Sequence, residues 1–300
     1  MITGIYLKKT AFILVTIFIL LMSGSALCAQ GQSGKSCLFR VTSQGGTVYL
    51  LGSIHFMKES NYPLRETIER AFRASSNVVF EVNMEEMDSP DTQVLMLSKS
   101  VFSDGNTLED SLSPAVYRRL GEKAEEFGLG MEILDRFKPW SVAMTLMGLK
   151  LNQLGFDPAK GIDRYFYAKA LSSGKKTFGL ETMAYQIGLF DGLSMREQEM
   201  LIRQSLDDFD TMESEMGEML LSWTNGDIGH LESMLLRSFN DYPGLYQKFL
   251  VRRNRNWLSQ IGVFLGQKEN WFVVIGAGHL LGPDGLVNLL RRKGYSVEQM

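Results

Sequence analysis

The sequence predicts a mixed α/β fold, with one central mixed sheet built from the N- and C-terminal parts of the chain and a large helical insertion over about 87–265. Three observations predict it. Strand-like phrases near opposite ends of the chain almost repeat each other: Thr47-Val48-Tyr49-Leu50-Leu51-Gly52-Ser53-Ile54-His55 and Trp271-Phe272-Val273-Val274-Ile275-Gly276-Ala277-Gly278-His279. Each is an apolar run that stops at Gly-x-x-His, as a buried strand passing into a turn would. Gln44-Gly45-Gly46 separates the first phrase from another strand-like run at 38–43, and a Gly-Gly between two such runs signals a hairpin. Between the two ends the pattern is mainly helical.

The chain has 300 residues, 45% of them hydrophobic, which suffices for one large core or two modest ones. Its first segment belongs to neither. Lys8 and Lys9 precede an apolar run over 11–22, and Ser23-Gly24-Ser25-Ala26-Leu27-Cys28-Ala29 supplies small residues for cleavage. That order reads as a secretory signal peptide over 1–29, the run being short for a spanning helix. The protein is expected to be exported, periplasmic or secreted, with an uncut membrane anchor as the alternative. Leu27 before Cys28 disfavours lipid attachment there. Removing Lys8 and Lys9 from 31 basic residues against 34 acidic takes the formal charge from −3 to −5. A mildly acidic exported chain is a poor nucleic-acid binder, which normally carries a basic patch. Cys37 is then left without a partner, so no disulfide framework is expected.

Residues 30–300 read as a single domain without tandem repeats. After the hairpin and His55, a helix over about 64–74 carries Ile68, Ala71 and Phe72 on one face. A strand follows at 77–82, apolar after Asn77 except for Glu81, whose carboxylate must face either water or something positive. The region 87–154 is helical with breaks at Asp104-Gly105-Asn106, 128–130 and Lys138-Pro139. Within it, Ser113-Pro114 reads as N-cap and first-turn proline, and 140–154 as a buried helix. Gly161-Ile162-Asp163 opens another helix, and a short strand at 176–180 ends in Gly179-Leu180-Glu181-Thr182. A single long amphipathic helix is expected over 194–223, its acidic residues forming a solvated face. Helices beginning at Asp227 and over 246–265, the strand at 271–275, a helix over 286–291 and a last strand near 295–298 complete the chain.

Open α/β sheets place their chemistry outside the carboxyl ends of their strands. Two of the chain's three histidines, His55 and His279, sit at such ends. With Glu81 they form a common ligand set for zinc and other first-row divalent ions. Glu81 serves equally as a ligand or as a general base. Asp163 and Glu181 are secondary candidates; Asp163 also reads as a helix N-cap, and Glu181 as a first-turn residue. Arg253 could stabilise an oxyanion, or lie on a charged helix face. His230 lacks the strand context and is left out. A His-Glu-x-x-His helix, a Gly-x-Ser-x-Gly elbow and a P-loop are all missing from the sequence.

Taken in order, Leu50-Leu51-Gly52-Ser53-Ile54-His55, Val79-Phe80-Glu81-Val82, Gly161-Ile162-Asp163, Gly179-Leu180-Glu181-Thr182, Arg253-Asn254-Arg255-Asn256-Trp257 and Val274-Ile275-Gly276-Ala277-Gly278-His279-Leu280, with Gly282-Pro283-Asp284-Gly285-Leu286, resemble the TraB/GumN family, related to the Tiki metalloproteases. The resemblance covers essentially the whole of 30–300. It implies a core of the erythromycin-esterase and ChaN-like type, and a divalent-metal site on His55, His279 and Glu81, with manganese or cobalt favoured over zinc or iron. The family's Glu-Arg-Asn element falls on Arg252-Arg253-Asn254, so its acidic position is Arg252 here. The expectation is a metal-dependent hydrolase acting on a peptide or protein substrate, with Glu81, Arg253 and Asn254 as catalytic candidates. The alternatives are a non-catalytic peptide- or haem-binding protein of the same fold, and a non-peptide ester hydrolase.

Overall fold

The computed structural model describes residues 34–237, 239 and 242–300. The expected signal segment 1–29, with Cys28, lies outside the described residues. Six strands form one mixed sheet in the order β4-β3-β5-β2-β1-β6: β1 is Leu38–Thr42, β2 Thr47–Ser53, β3 Asn77–Val82, β4 Lys176–Glu181, β5 Trp271–Gly276 and β6 Ser296–Gln299. β4, β3, β5 and β2 run parallel. β1 and β6 add antiparallel strands at one side. The expected mixed sheet drawn from both chain ends, with helices between, is the observed one.

The sequence explains the layering. β3 is buried at every position and β5 at all but its last, as central parallel strands covered on both faces must be. On one face, helix Glu66–Arg73 brings Phe72 and helix Ile162–Ser172 brings Phe166 against Phe272 of β5, with ring centroids 4.9–5.7 Å apart. From helix Met212–Asn225, buried Trp223 donates its indole N–H to the Gly52 carbonyl of β2 at 2.7 Å.

The strand order positions the site. β5 inserts between β3 and β2, so the chain leaves β3 toward β4 and leaves β5 toward β6, on opposite sides. Such a reversal opens a crevice at the carboxyl ends of the parallel strands.

Several expectations need correction. The single helix over 194–223 is two helices, Met195–Asp208 and Met212–Asn225. The break follows the aspartate-rich stretch Asp207-Asp208-Phe209-Asp210; aspartate is a poor helix former, and its charge is unfavourable at a helix C-terminus. β4 runs on through Glu181, and Thr182 caps the next helix, so Glu181 is a strand residue rather than a first-turn one. Gly161, not Asp163, is the N-cap of helix Ile162–Ser172. Ser113 is an N-cap in position, but its hydroxyl donates to Glu199 at 2.6 Å. The helix expected over 246–265 begins with a π-helical turn, Gln247–Val251, before α-helix Arg252–Leu265.

Candidate active site

Each parallel strand delivers one polar side chain to the crevice. His55 lies two residues past β2, Glu81 is the penultimate residue of β3, Glu181 closes β4, and His279 follows β5 in the short helix Ala277–Leu280. Gly276 is where three of them meet: a Cβ on it would lie 3.1 Å from Glu81 Oε1, 3.7 Å from His279 Cδ2 and 3.8 Å from His55 Nε2. Its own N–H donates to Glu81 Oε1 at 2.7 Å. A side chain at Gly276 would press on the Glu81 carboxylate, which would have to give by a few tenths of an ångström.

The two imidazoles are held alike and charged differently. His55 Nδ1 lies 2.7 Å from Asp163 Oδ2. This contact exists because the Ile162 N–H donates to the Ile54 carbonyl at 3.0 Å, clamping the start of helix Ile162–Ser172 to the loop after β2. At Gly161 a Cβ would stand only 2.2 Å from the His55 carbonyl oxygen, so the Gly-Ile-Asp motif is a close backbone crossing. Burial opposes protonation of His55, but the Asp163 carboxylate overrides it and pushes the pKa up to about 9. His279 is buried, with Nδ1 at 2.6 Å from Asn254 Oδ1 and Nε2 at 3.0 Å from Arg253 Nη1. An amide oxygen and a guanidinium on its two nitrogens define the tautomer: Nδ1 donates and Nε2 accepts. Burial, then the adjacent Arg253 charge, lower its pKa to about 3, so the ring is neutral.

Arg253 is the hub. Its Nη2 reaches Glu81 Oε2 at 2.6 Å and its Nε reaches Glu181 Oε1 at 2.9 Å, while Nη1 also donates to the Phe249 carbonyl at 3.1 Å. Phe249 belongs to the π-helical turn, a distortion common beside functional residues. Trp257 lies beneath, its ring 4.7 Å from the guanidinium carbon and 4.4 Å from the His279 ring. Burial would raise the Glu81 pKa, but Arg253 and the surrounding positive groups hold the carboxyl well below the usual range. Glu181 shifts upward, because burial outweighs the same guanidinium there.

All seven residues singled out from the sequence fall in or directly behind this crevice. Asn254 stands behind His279, its amide bonded to Nδ1 and to the Asp284 carbonyl at 2.9 Å. His230 is half-exposed on helix Ile228–Arg237, away from the crevice. Gln186 escaped the sequence reading: its amide donates to Glu81 at 3.1 Å and to Glu181 at 2.9 Å. A lone amide in the apolar segment Met183-Ala184-Tyr185-Gln186-Ile187-Gly188-Leu189 was its available signal.

Among the described residues no group of three or more His, Cys, Asp or Glu side chains stands ready as a metal cage. The donor chemistry nonetheless fits a divalent cation. His279 Nε2 and Glu81 Oε1 are 3.9 Å apart, and two ligands at about 2.0–2.2 Å from one zinc-like ion can span that gap. Both histidines have Nδ1 tied to an oxygen, the usual outer support of metal-ligating imidazoles, and His55 Nε2 faces Gly276, whereas His279 Nε2 is taken by Arg253 Nη1. Arg253 Nη1 occupies the His279 Nε2 lone pair, so ligation through that nitrogen would require this one contact to move aside.

The family model described as TraB/PrgY/gumN family matches residues 37–299. Among curated proteins, an uncharacterized protein of Treponema pallidum is 22% identical over 91% of this chain and 85% of its own length. Metalloprotease TIKI2 of Danio rerio is 22% identical over 83% of this chain and 58% of its own. Metalloprotease TIKI1 of Homo sapiens is 21% identical over 83% and 59%. The matches thus span less than two thirds of either metalloprotease. No solved structure matches the chain significantly.

Proposed function

We propose, since this chain belongs to the TraB/PrgY/gumN family, that it is a divalent-metal-dependent hydrolase and, more narrowly, a peptidase exported by its first 29 residues. The convergence of His55 Nε2, Glu81 Oε1 and the His279 ring on Gly276 carries this reading. The metalloprotease names of the TIKI relatives support the reaction class, and the resemblance favours manganese or cobalt as the ion.

His55, Glu81 and His279 would hold the ion. When bound, it supplies Lewis acidity and water made nucleophilic near neutral pH. The chain's own residues do the rest. Glu81 is kept ionised by its neighbours, which suits a ligand or an anchor for the attacking water better than a proton store. Asp163 and Asn254 fix the ring planes of His55 and His279. Arg253 would lie beside the reacting carbonyl as a fixed cation. Its charge is set in place by two carboxylates and would act on negative charge developing on the substrate oxygen through space, its N–H groups being bonded to Glu81, Glu181, the Phe249 carbonyl and His279.

The test is metal content of the purified protein after dialysis against manganese, cobalt, zinc and iron, alongside cleavage of diverse peptides. One ion retained per chain, lost in both His55→Ala and His279→Ala together with cleavage, is the expected result. A parent that retains no metal, or a dispensable histidine, sinks the mechanism. N-terminal sequencing of protein recovered from outside the cytoplasm tests the export.

A further inference from the structure

Beside Glu81 and Arg253 the crevice widens into a cleft of about 240 Å³. The sequence puts methionine there repeatedly: Met84, Met87, Met96, Met144 and Met183 line it, together with Ile187. Its charged groups are already committed. Arg253 holds Glu81 and Glu181, Asp163 holds His55, and Arg164 is paired with Asp88. A charged side chain entering the apolar part would lose its hydration with no partner, which is costly. An apolar one would gain from burial. The volume lies under the ~300–1,000 Å³ of sites that enclose drug-sized ligands, so the cleft suits one side chain rather than a large cofactor.

The wall is also adaptable. Val82, Met183 and Ile187 form a small apolar cluster separate from the main core, with Met87, Leu95 and Met96 packed against it. Helix Pro90–Ser100, which carries Met96, buries only Ser100. Unbranched thioether side chains on a lightly anchored helix can repack around differently shaped apolar groups without disturbing the sheet.

We propose that this cleft is a specificity subsite for one large apolar side chain, of the leucine, methionine or phenylalanine class, next to the scissile bond of a peptide. The proposal rests on the peptidase reading. Continuity with Glu81 and Arg253 argues for a peptide side chain, since a residue seated in the cleft leaves its own backbone carbonyl beside the guanidinium.

The metal-loaded full-length protein would be incubated with a diverse peptide library and the cut sites mapped by mass spectrometry. Leu, Met or Phe at one fixed position beside the cut, at least tenfold over Asp, Glu and Lys, is expected. Met183→Glu should raise Lys at that position at least tenfold. Met87→Glu, at a half-exposed site that tolerates charge better, should do the same if the first variant does not fold. Cleavage with no such preference overturns the subsite and leaves the peptidase reading standing. If no peptide is cut, that reading fails, and calorimetry with two hexapeptides differing only by Leu or Asp reads the subsite directly. Tenfold tighter binding of the Leu peptide supports the subsite; equal binding of the two peptides, or binding of a free fatty acid alone, overturns it.

Discussion

Arg253 is the residue on which most of the site's charge balance depends. It is 6% exposed and lies between two largely buried carboxylates, so removing it strands Glu81 and Glu181 without their cation. Breaking a buried ion pair from one side typically costs ~3–5 kcal/mol, and Arg253→Ala should lose about that much in urea unfolding. Arg253→Lys keeps the charge but cannot reach Glu81, Glu181 and the His279 nitrogen at once, so it should fall between parent and Ala. A stability equal to the parent's in Arg253→Ala would show that the carboxylates do not need it. At His55 the effect is one of pH. Its folded pKa of about 9 exceeds the ordinary ~6.5. The protonated pair with Asp163 therefore contributes fully below about 6.5, and the contribution is lost as pH rises through about 9. In metal-free protein, imidazole NMR should give the raised value, and Asp163→Asn should bring it down and flatten stability across that window.

Elements decide how those residues are aimed, and here the sequence was unevenly legible. Strands β2 and β5 could be read because apolar runs ending in Gly-x-x-His carry their signal locally. Glu81 could be read because one carboxylate in an apolar strand is an anomaly. Arg253 was read only as a candidate: its partners lie on β3, β4 and the segment after β5, and the π-helical turn that precedes it leaves no local mark. Asp208 illustrates a similar loss. Its sequence neighbourhood looks like a solvated acidic face, yet it is 1% exposed at the C-terminus of helix Met195–Asp208, with Oδ1 bonded to Gln204 at 2.8 Å and Oδ2 unpaired. Burial pushes its pKa up to about 8, and the helix dipole there also disfavours a carboxylate. The folded state thus holds a proton that the unfolded state releases near ~3.9, so stability falls as pH rises from there through about 8. Asp208→Asn, neutral at every pH, should be more stable than the parent at pH 8 and lose that slope; parallel pH profiles for the two proteins would contradict the assignment. Ser194→Ala, which removes a capping box at the other end of the same helix, should cost ~0.5–2 kcal/mol in unfolding experiments at any pH.

At the scale of the molecule, the site exists because β5 returns from the far end of the chain to lie between β3 and β2. Ser53 and Gly276 face each other at the ends of β2 and β5, and only that register brings the loops bearing His55 and His279 to one place. A cation held by both histidines and by Glu81 would therefore tie together three strands from distant parts of the sequence, and it should stabilise the native state alone, since the unfolded chain holds no such cluster. At a metal concentration 100 times Kd this linkage is worth about 2.7 kcal/mol. At ~2.1 cal/mol/K of unfolding entropy per residue, a domain of this size would rise in Tm by about 5 °C. Both His55→Ala and His279→Ala should abolish the increment, since each removes a ligand from a different strand end. Hydrogen exchange should show the metal slowing amides of β2, β3 and β5 together, because opening any one of them would break the shared site. Protection confined to the loop after β2, or an increment surviving in either variant, would mean that the ion binds one end of the chain and that the convergence on Gly276 serves the fold rather than a metal.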